Sequence, residues 1–195
     1  MYGKDENAWC LDVVQPVLNC SLNGSRKLQL TSVQSQLIDG ELLPTMKSSL
    51  MRVSKKTDSA YLFSCRDVEV SNLYQHISLG GNGHQIGHTT DAFNKRTILF
   101  SGIEVKPDDG GKQEALAQLS IWLNANLEKM RRLKVLAEGS QPVPMNVRPT
   151  VGLTVIGHDW YTYIAYRLKN ETVSVAPLQS HVNELIWHCS TLSAH

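Results

Sequence analysis

The sequence lacks a charge excess, a paired-cysteine motif and a long hydrophobic run, and each absence excludes a class of protein. Its 19 Lys and Arg residues against 18 Asp and Glu give a net charge of +1. A chain so close to neutral exerts no general attraction on nucleic acid or on an acidic membrane. Any polyanion would therefore have to be met by a local basic patch.

The cysteines and the apolar segments point to a cytoplasmic protein. The four cysteines are scattered and form no C-x-x-C pair (Cys10, Cys20, Cys65 and Cys189), which favours reduced, packed thiols over zinc ligands. The segment Met1–Asn7 carries charge where a signal peptide needs an apolar core. No apolar run approaches the roughly 20 residues that span a bilayer, so we expect no membrane partner.

The order of apolar patterns predicts an α/β fold, with a mixed central sheet flanked by helices in a single domain over residues 1–195. A Gly-rich loop is expected over 75–95, and the spacing leaves 36–50 ambiguous. A hairpin is expected to turn at Asp159-Trp160. The expected helices are 5–22, 112–137 and 181–192, and the expected strands are 27–34, 55–63, 97–106, 151–158, 161–168 and 172–176.

The stretch Thr97–Lys106 carries the strongest chemical signal. Its bulky apolar residues predict a buried strand, and Glu104 and Lys106, two positions apart, project to the same side. A buried carboxylate and ammonium are costly unless each has a role or a partner. Taken alone, the two residues indicate an ion pair at the end of a strand, and Asp58 alone indicates a turn.

Taken together with a glutamine on the following helix, these residues form a recognisable set. Asp58 at a strand start, Glu104-x-Lys106 on the next central strand and Gln118 on the helix resemble the catalytic pattern of the PD-(D/E)XK nuclease superfamily. The resemblance implies that Asp58 and Glu104 bind Mg²⁺, a hard cation that prefers oxygen ligands. It also implies that Lys106 orients the attacking water or stabilises developing charge.

Four motifs narrow the resemblance to the fungal PD-(D/E)XK nuclease-like domain, over roughly residues 5–190. The family's K-x-V-D is matched with Thr57 in place of Val, and its S-I-E-T-K is matched with one extra residue. Its A-x-x-Q-L-x-x-W helix is matched from Ala115 to Trp122. Its G-H-D-W turn is matched at Gly157-His158-Asp159-Trp160.

The resemblance leads first to a biosynthetic enzyme. Short fungal proteins similar to this group include tRNA-dependent, arginine-containing cyclodipeptide synthases of secondary metabolism, described with an acidic D-D-x-x-E motif. Here Asp108-Asp109 is followed by Glu114, two residues later than in that motif. Carboxylates suit a guanidinium, and no cofactor is required. The implied substrate-binding residues are Asp108, Asp109, Glu114, Trp122, His158 and Asp159, and the implied contacts to arginyl-tRNA are Lys129, Arg131, Arg132 and Lys134.

Two alternatives stay open from the residues. The first is a Mg²⁺-dependent nuclease that uses Asp58, Glu104, Lys106 and Gln118 and takes nucleic acid as its partner, since the catalytic set is complete. The second is a non-catalytic protein that keeps the set as a relic, with no metal binding and no turnover. The basic end of the long helix is equally consistent with an ordinary solvated helix end.

Overall fold

The described part of the chain forms one mixed β-sheet with helices on both faces. The computed structural model of the protein describes residues 5–22, 24–43, 56–82, 85–138, 147–168 and 173–178. The expected helix over 181–192 lies outside these residues. The α/β class and the mixed sheet predicted from the sequence are confirmed.

The strands and helices follow the predicted order with one addition. The strands are β1 (Leu28–Ser32), β2 (Ser59–Phe63), β3 (Ser101–Lys106), β4 (Thr150–Ile156), β5 (Asp159–Arg167) and β6 (Val173–Pro177). The helices are α1 (Glu6–Trp9), α2 (Gln15–Ser21), α3 (Val68–Ile77) and α4 (Lys112–Glu138). A π-helical turn, Cys10–Val14, joins α1 to α2, and a second one, Ser78–Asn82, follows α3.

The sheet order is β1-β2-β3-β4-β5-β6, so β3 and β4 lie at its centre. All neighbours are antiparallel except β3 and β4, which run parallel and are joined by the 27-residue α4. Parallel neighbours need such a crossover, and a helix provides it. Because β3 is central, Glu104 and Lys106 lie in the middle of the sheet rather than at its edge.

Two hydrophobic layers cover the two faces of the sheet. One layer is formed by α4 against β2, β3 and β5, with Leu119, Trp122 and Leu123 fully buried. The other is formed by the α1–α2 segment, where Cys10 and Val14 pack against Val105. No described helix, including α4, has the unbroken apolar length needed to cross a membrane.

Paired glycines let α4 approach the sheet closely. Gly102 on β3 lies directly opposite Gly152 on β4. A Cβ on Gly102 would lie 2.6 Å from Cδ1 of Trp122, and one on Gly152 would lie 2.7 Å from Cδ1 of Leu123. The missing side chains therefore create the space that the large residues of α4 fill, at native packing density.

Gly102→Ala is expected to destabilise the fold by about 1–3 kcal/mol, because a methyl group would push α4 from the sheet. Denaturant unfolding of the purified variant measures the change. Gly80→Ala is the matched control, since a Cβ there meets nothing within 4 Å. Equal stability of the two variants would contradict the close contact between α4 and β3.

Two sequence expectations need correction. The β4–β5 hairpin turns at Gly157-His158, and Asp159 and Trp160 already pair with Ile156 and Val155. Gly157 adopts a φ of 55°, a left-handed conformation that favours glycine. In addition, α3 was not expected; Asp67 caps it by accepting hydrogen bonds from the backbone amides of Glu69 and Val70.

Candidate active site

Asp58, Glu104 and Lys106 meet at the centre of the sheet. Asp58 lies immediately before β2, and its backbone N–H donates to the carbonyl of Ile103 at 3.1 Å. Its side chain reaches across to β3, where Oδ2 accepts the N–H of Val105 at 2.7 Å. Lys106 Nζ lies 3.0 Å from Glu104 Oε1. The sequence predicted this placement on two adjacent strands; the catalytic roles stay a prediction.

The site is buried and brings two carboxylates close to one ammonium group. The side chain of Glu104 is 3% exposed and that of Lys106 is 12% exposed. Two carboxylates therefore share a region of low dielectric with one ammonium group. Burial, and after it the neighbouring charge of Asp58, raise the pKa of Glu104 to about 7, against the opposing effects of Lys106 and Thr57.

One oxygen of Glu104 identifies where a cation would fit. Oε2 is buried and has no hydrogen-bond partner among the described residues. A carboxylate oxygen left in this way carries a desolvation cost. An oxygen-seeking divalent cation held by Glu104 and Asp58 would remove that cost and the repulsion between the two groups. The donor set of this site therefore fits Mg²⁺.

The site has three further polar neighbours that the sequence analysis did not assign to it. Gln34 donates its side-chain amide to Asp58 Oδ1 at 3.1 Å. Thr57 donates its hydroxyl to the carbonyl of Ile103 at 2.9 Å. Thr154, opposite Glu104 on β4, has a buried Oγ1 with no partner among the described residues. Thr154 could have been found from the sequence, because its hydroxyl interrupts the apolar run of β4. No pattern in the sequence singles out Gln34.

Two turns bring other candidate residues to the same end of the sheet as Lys106. The N–H of Gly157 donates to the carbonyl of Lys106 at 2.9 Å, and the side chain of Asp108 packs directly against Gly157. His158 is exposed, with its ring against Trp9. Asp159 accepts a hydrogen bond from the Tyr161 hydroxyl at 3.3 Å, and Asp109 is exposed on the turn after β3.

The first turns of α4 supply further polar groups near this end. Gln118 donates its amide to Glu114 Oε1 at 2.9 Å, so its described hydrogen bond is made along the helix rather than to Glu104 or Lys106. Lys112 places its ammonium 3.5 Å from the ring centroid of Tyr161, a cation–π contact. Tyr161 is opposite Thr154 in the sheet.

Trp122 does not line the site. It is fully buried, and its indole N–H donates to the carbonyl of Ser101 at 2.9 Å, at the beginning of β3. The ring of His88 packs edge-on against it. The substrate-binding role expected for Trp122 is therefore replaced by a packing role.

The basic residues of α4 do not form a free basic surface next to the site. Arg131 and Arg132 both bind Glu128, and burial lowers the pKa of Lys129. All of these residues lie in the second half of the helix, away from Lys112 and Glu114. A direct contact from this patch to the Glu104 centre is therefore not supported.

The family comparison agrees with the site. The family model of the PD-(D/E)XK nuclease superfamily matches residues 1–189, so the chain belongs to the PD-(D/E)XK nuclease superfamily. Comparison with curated proteins and with solved structures gave no match. Membership establishes the class of fold and leaves the activity to be argued from the site.

Proposed function

We propose that the Asp58–Glu104–Lys106 centre hydrolyses phosphodiester bonds with a divalent cation. The observation that carries this proposal is the buried Oε2 of Glu104, which has no hydrogen-bond partner among the described residues, on a side chain whose pKa is raised by burial and by the charge of Asp58. The charge of Asp58 disfavours ionisation of Glu104 through repulsion between the two carboxylates. A cation bound by both carboxylates would relieve this repulsion, and the relief would favour binding of the cation.

Each side chain has a role that its position supports. Asp58 and Glu104 would hold Mg²⁺, and the hydrogen bond from Val105 fixes the orientation of the Asp58 carboxylate. When bound, Mg²⁺ supplies Lewis-acid polarisation of the phosphate and an acidified water ligand. Lys106, held beside Glu104 on the same strand, places a positive charge where the pentavalent phosphate gains negative charge.

Nuclease assays of the purified chain test the proposal. Single-stranded and duplex DNA and RNA are incubated with Mg²⁺ or with EDTA, and we expect cleavage only with Mg²⁺. Asp58→Asn should lower the rate about a hundredfold or more, as expected for loss of a group that holds charge in the transition state. Glu69→Gln, an exposed carboxylate on α3, is the control that should keep full activity. Cleavage that persists in EDTA or in Asp58→Asn would contradict the proposal.

A second candidate function is synthesis of an arginine-containing cyclic dipeptide from arginyl-tRNA. The observation that favours it is the acidic rim of the site, which consists of exposed carboxylates on the turn after β3, on the first turn of α4 and at the start of β5 (Asp108, Asp109, Glu114 and Asp159). Such a rim suits a guanidinium and disfavours a polyanion. The same centre would then act on an aminoacyl ester, with Glu104 as the proton acceptor, since its pKa near 7 suits that role.

Asp108→Asn and Asp109→Asn separate the two functions. In the nuclease these residues lie outside the metal centre, and cleavage should stay intact or increase because less negative charge faces the phosphate path. In the synthase, a guanidinium buried on binding would lose its carboxylate at a cost on the order of 3–5 kcal/mol, and the arginine product should disappear. Both variants are assayed for nucleic acid cleavage and, with charged tRNA, for cyclic dipeptides. Variants that cleave normally and make no dipeptide would support the nuclease.

A further inference from the structure

Two directly paired residues at the centre of the sheet each carry a buried polar atom without a partner. Glu104 on β3 lies opposite Thr154 on β4 in the parallel ladder, and side chains paired in this way project to the same face of the sheet. The two residues are 2% and 0% exposed. Oε2 of Glu104 and Oγ1 of Thr154 both lack a hydrogen-bond partner in the described part of the chain. A carboxylate acceptor and a hydroxyl donor therefore lie on neighbouring strands, which run about 4.8 Å apart, without being bonded to each other.

The hydroxyl of Thr154 has no use in the packing of β4. Thr154 has the one polar side chain in the run Val151–Ile156, and a buried hydroxyl that forms no hydrogen bond lowers stability, because its hydration is lost without replacement. Valine has the same shape and avoids this cost. The hydroxyl is therefore accounted for by a further interaction within the site, and its candidate partner is the carboxylate of Glu104 opposite it.

Two other hydroxyl groups beside the site already donate their protons elsewhere. Thr57 donates to a main-chain carbonyl of β3 at 2.9 Å. Tyr161, opposite Thr154 on β5, donates to Asp159 at 3.3 Å. Because a hydroxyl has a single proton to donate, neither group is a donor to spare for a carboxylate. Within the described residues, Thr154 keeps its donor available next to Glu104.

We infer that Thr154 is a positioning residue of the metal centre, whose hydroxyl donates to the Glu104 carboxylate and holds it toward a bound divalent cation. This inference rests on the proposed metal-dependent function. A threonine side chain turns between staggered rotamers, so its hydroxyl can face the neighbouring carboxylate without a movement of the backbone. A carboxylate oxygen has two lone pairs, so Oε2 can accept this hydrogen bond and still bind a cation. Outer partners of metal-binding side chains typically contribute about 10–100-fold to metal affinity.

Cation binding is measured without nucleic acid, so that its outcome is independent of cleavage. Thermal unfolding of the purified chain is followed over a titration with MgCl2, with NaCl holding the ionic strength constant, and the rise in Tm reports the affinity. Thr154→Val keeps the shape of the side chain and removes the hydroxyl. The Mg²⁺ concentration needed for a given rise in Tm should increase about tenfold or more in this variant. Thr154→Ser retains the hydroxyl and should respond to Mg²⁺ as the wild type does.

Thr89→Val is the matched control. Thr89 is also fully buried, with an Oγ1 that has no partner among the described residues, but it pairs with Ile38 in a bridge outside the named strands. Its valine variant should keep the Mg²⁺ response of the wild type. An equal response of the two valine variants would overturn the inference and leave the proposed nuclease function standing. Thr154-dependent Mg²⁺ binding by a chain that cleaves no nucleic acid would contradict only the proposed nuclease function.

Discussion

Replacing Glu104 by glutamine is expected to abolish phosphodiester cleavage and, above pH 7, to make the fold more stable. The variant removes one of two proposed metal-binding carboxylates. It also removes a buried charge, because burial and the charge of Asp58 raise the pKa of Glu104 to about 7. A residue that lowers stability in the functional pH range is retained for its chemistry rather than for the fold.

The pH dependence follows from the direction of that pKa shift. In the folded protein Glu104 holds its proton up to about pH 7, compared with a reference value of 4.5. Its contribution to stability is therefore full below pH 4.5 and lost as the pH rises through 7. Glutamine is neutral throughout, so Glu104→Gln should exceed the wild type at pH 8 by up to about 3 kcal/mol and differ little near pH 4.5.

Denaturant unfolding at pH 4.5 and pH 8 in EDTA, together with cleavage assays in Mg²⁺, measures both effects. Glu69→Gln, which changes an exposed carboxylate, should show neither. A Glu104→Gln variant that loses stability equally at both pH values would indicate a structural ion pair with Lys106. If the Glu104→Gln variant still cleaves nucleic acid, Glu104 does not take part in the reaction.

Trp122→Ala is expected to cost about 3–5 kcal/mol of unfolding free energy, a large share of the stability of a domain this size. The side chain is fully buried and fills the space above Gly102. Trp122→Phe keeps most of the volume but loses the hydrogen bond to the carbonyl of Ser101, and should cost about 1 kcal/mol for the bond and more if the carbonyl stays unpaired.

Unfolding curves of the two variants and of Leu136→Ala, a control on the exposed side of α4, test this ranking. The control should stay within about 0.5 kcal/mol of the wild type. A Trp122→Ala protein with wild-type stability and impaired substrate binding would show that Trp122 is a substrate-binding residue and not a packing residue.

The sequence predicted the central strands of the sheet better than the packing of the helices that cover it. Strand alternation was enough to place Glu104 and Lys106 on one face, and the family resemblance placed Asp58 beside them. Both arguments use only the order of residues within short segments of the sequence. The face that α4 turns toward the sheet depends instead on Gly102 and Gly152, which lie on two other elements. Because those glycines leave room for an indole ring, Trp122 packs inward, and no pattern within α4 indicates this.

The same limit applies to charged groups and to turns. The helix sequence shows Arg131 and Arg132 as a basic stretch, but their pairing with Glu128 and the arrival of Arg167 from β5 are tertiary facts. The helix α3 begins with Val68 and Val70, β-branched residues with modest helix propensity, so its Asp67 cap was the main signal. The hairpin turn was misplaced by two residues because Asp159 resembles a turn residue, although Gly157 supplies the required conformation.

The hydrogen bond from the Val105 amide to Asp58 makes one backbone nitrogen a spectroscopic reporter of the site. At this position on β3 a side-chain oxygen, 2.7 Å away, takes the place of a strand carbonyl as the acceptor. The amide proton of Val105 should therefore exchange slowly with solvent, and its resonance should move when a divalent cation draws electron density from the Asp58 carboxylate. An isotope-labelled sample titrated with Mg²⁺ would thus show occupancy of the centre in a protein that is given no substrate at all.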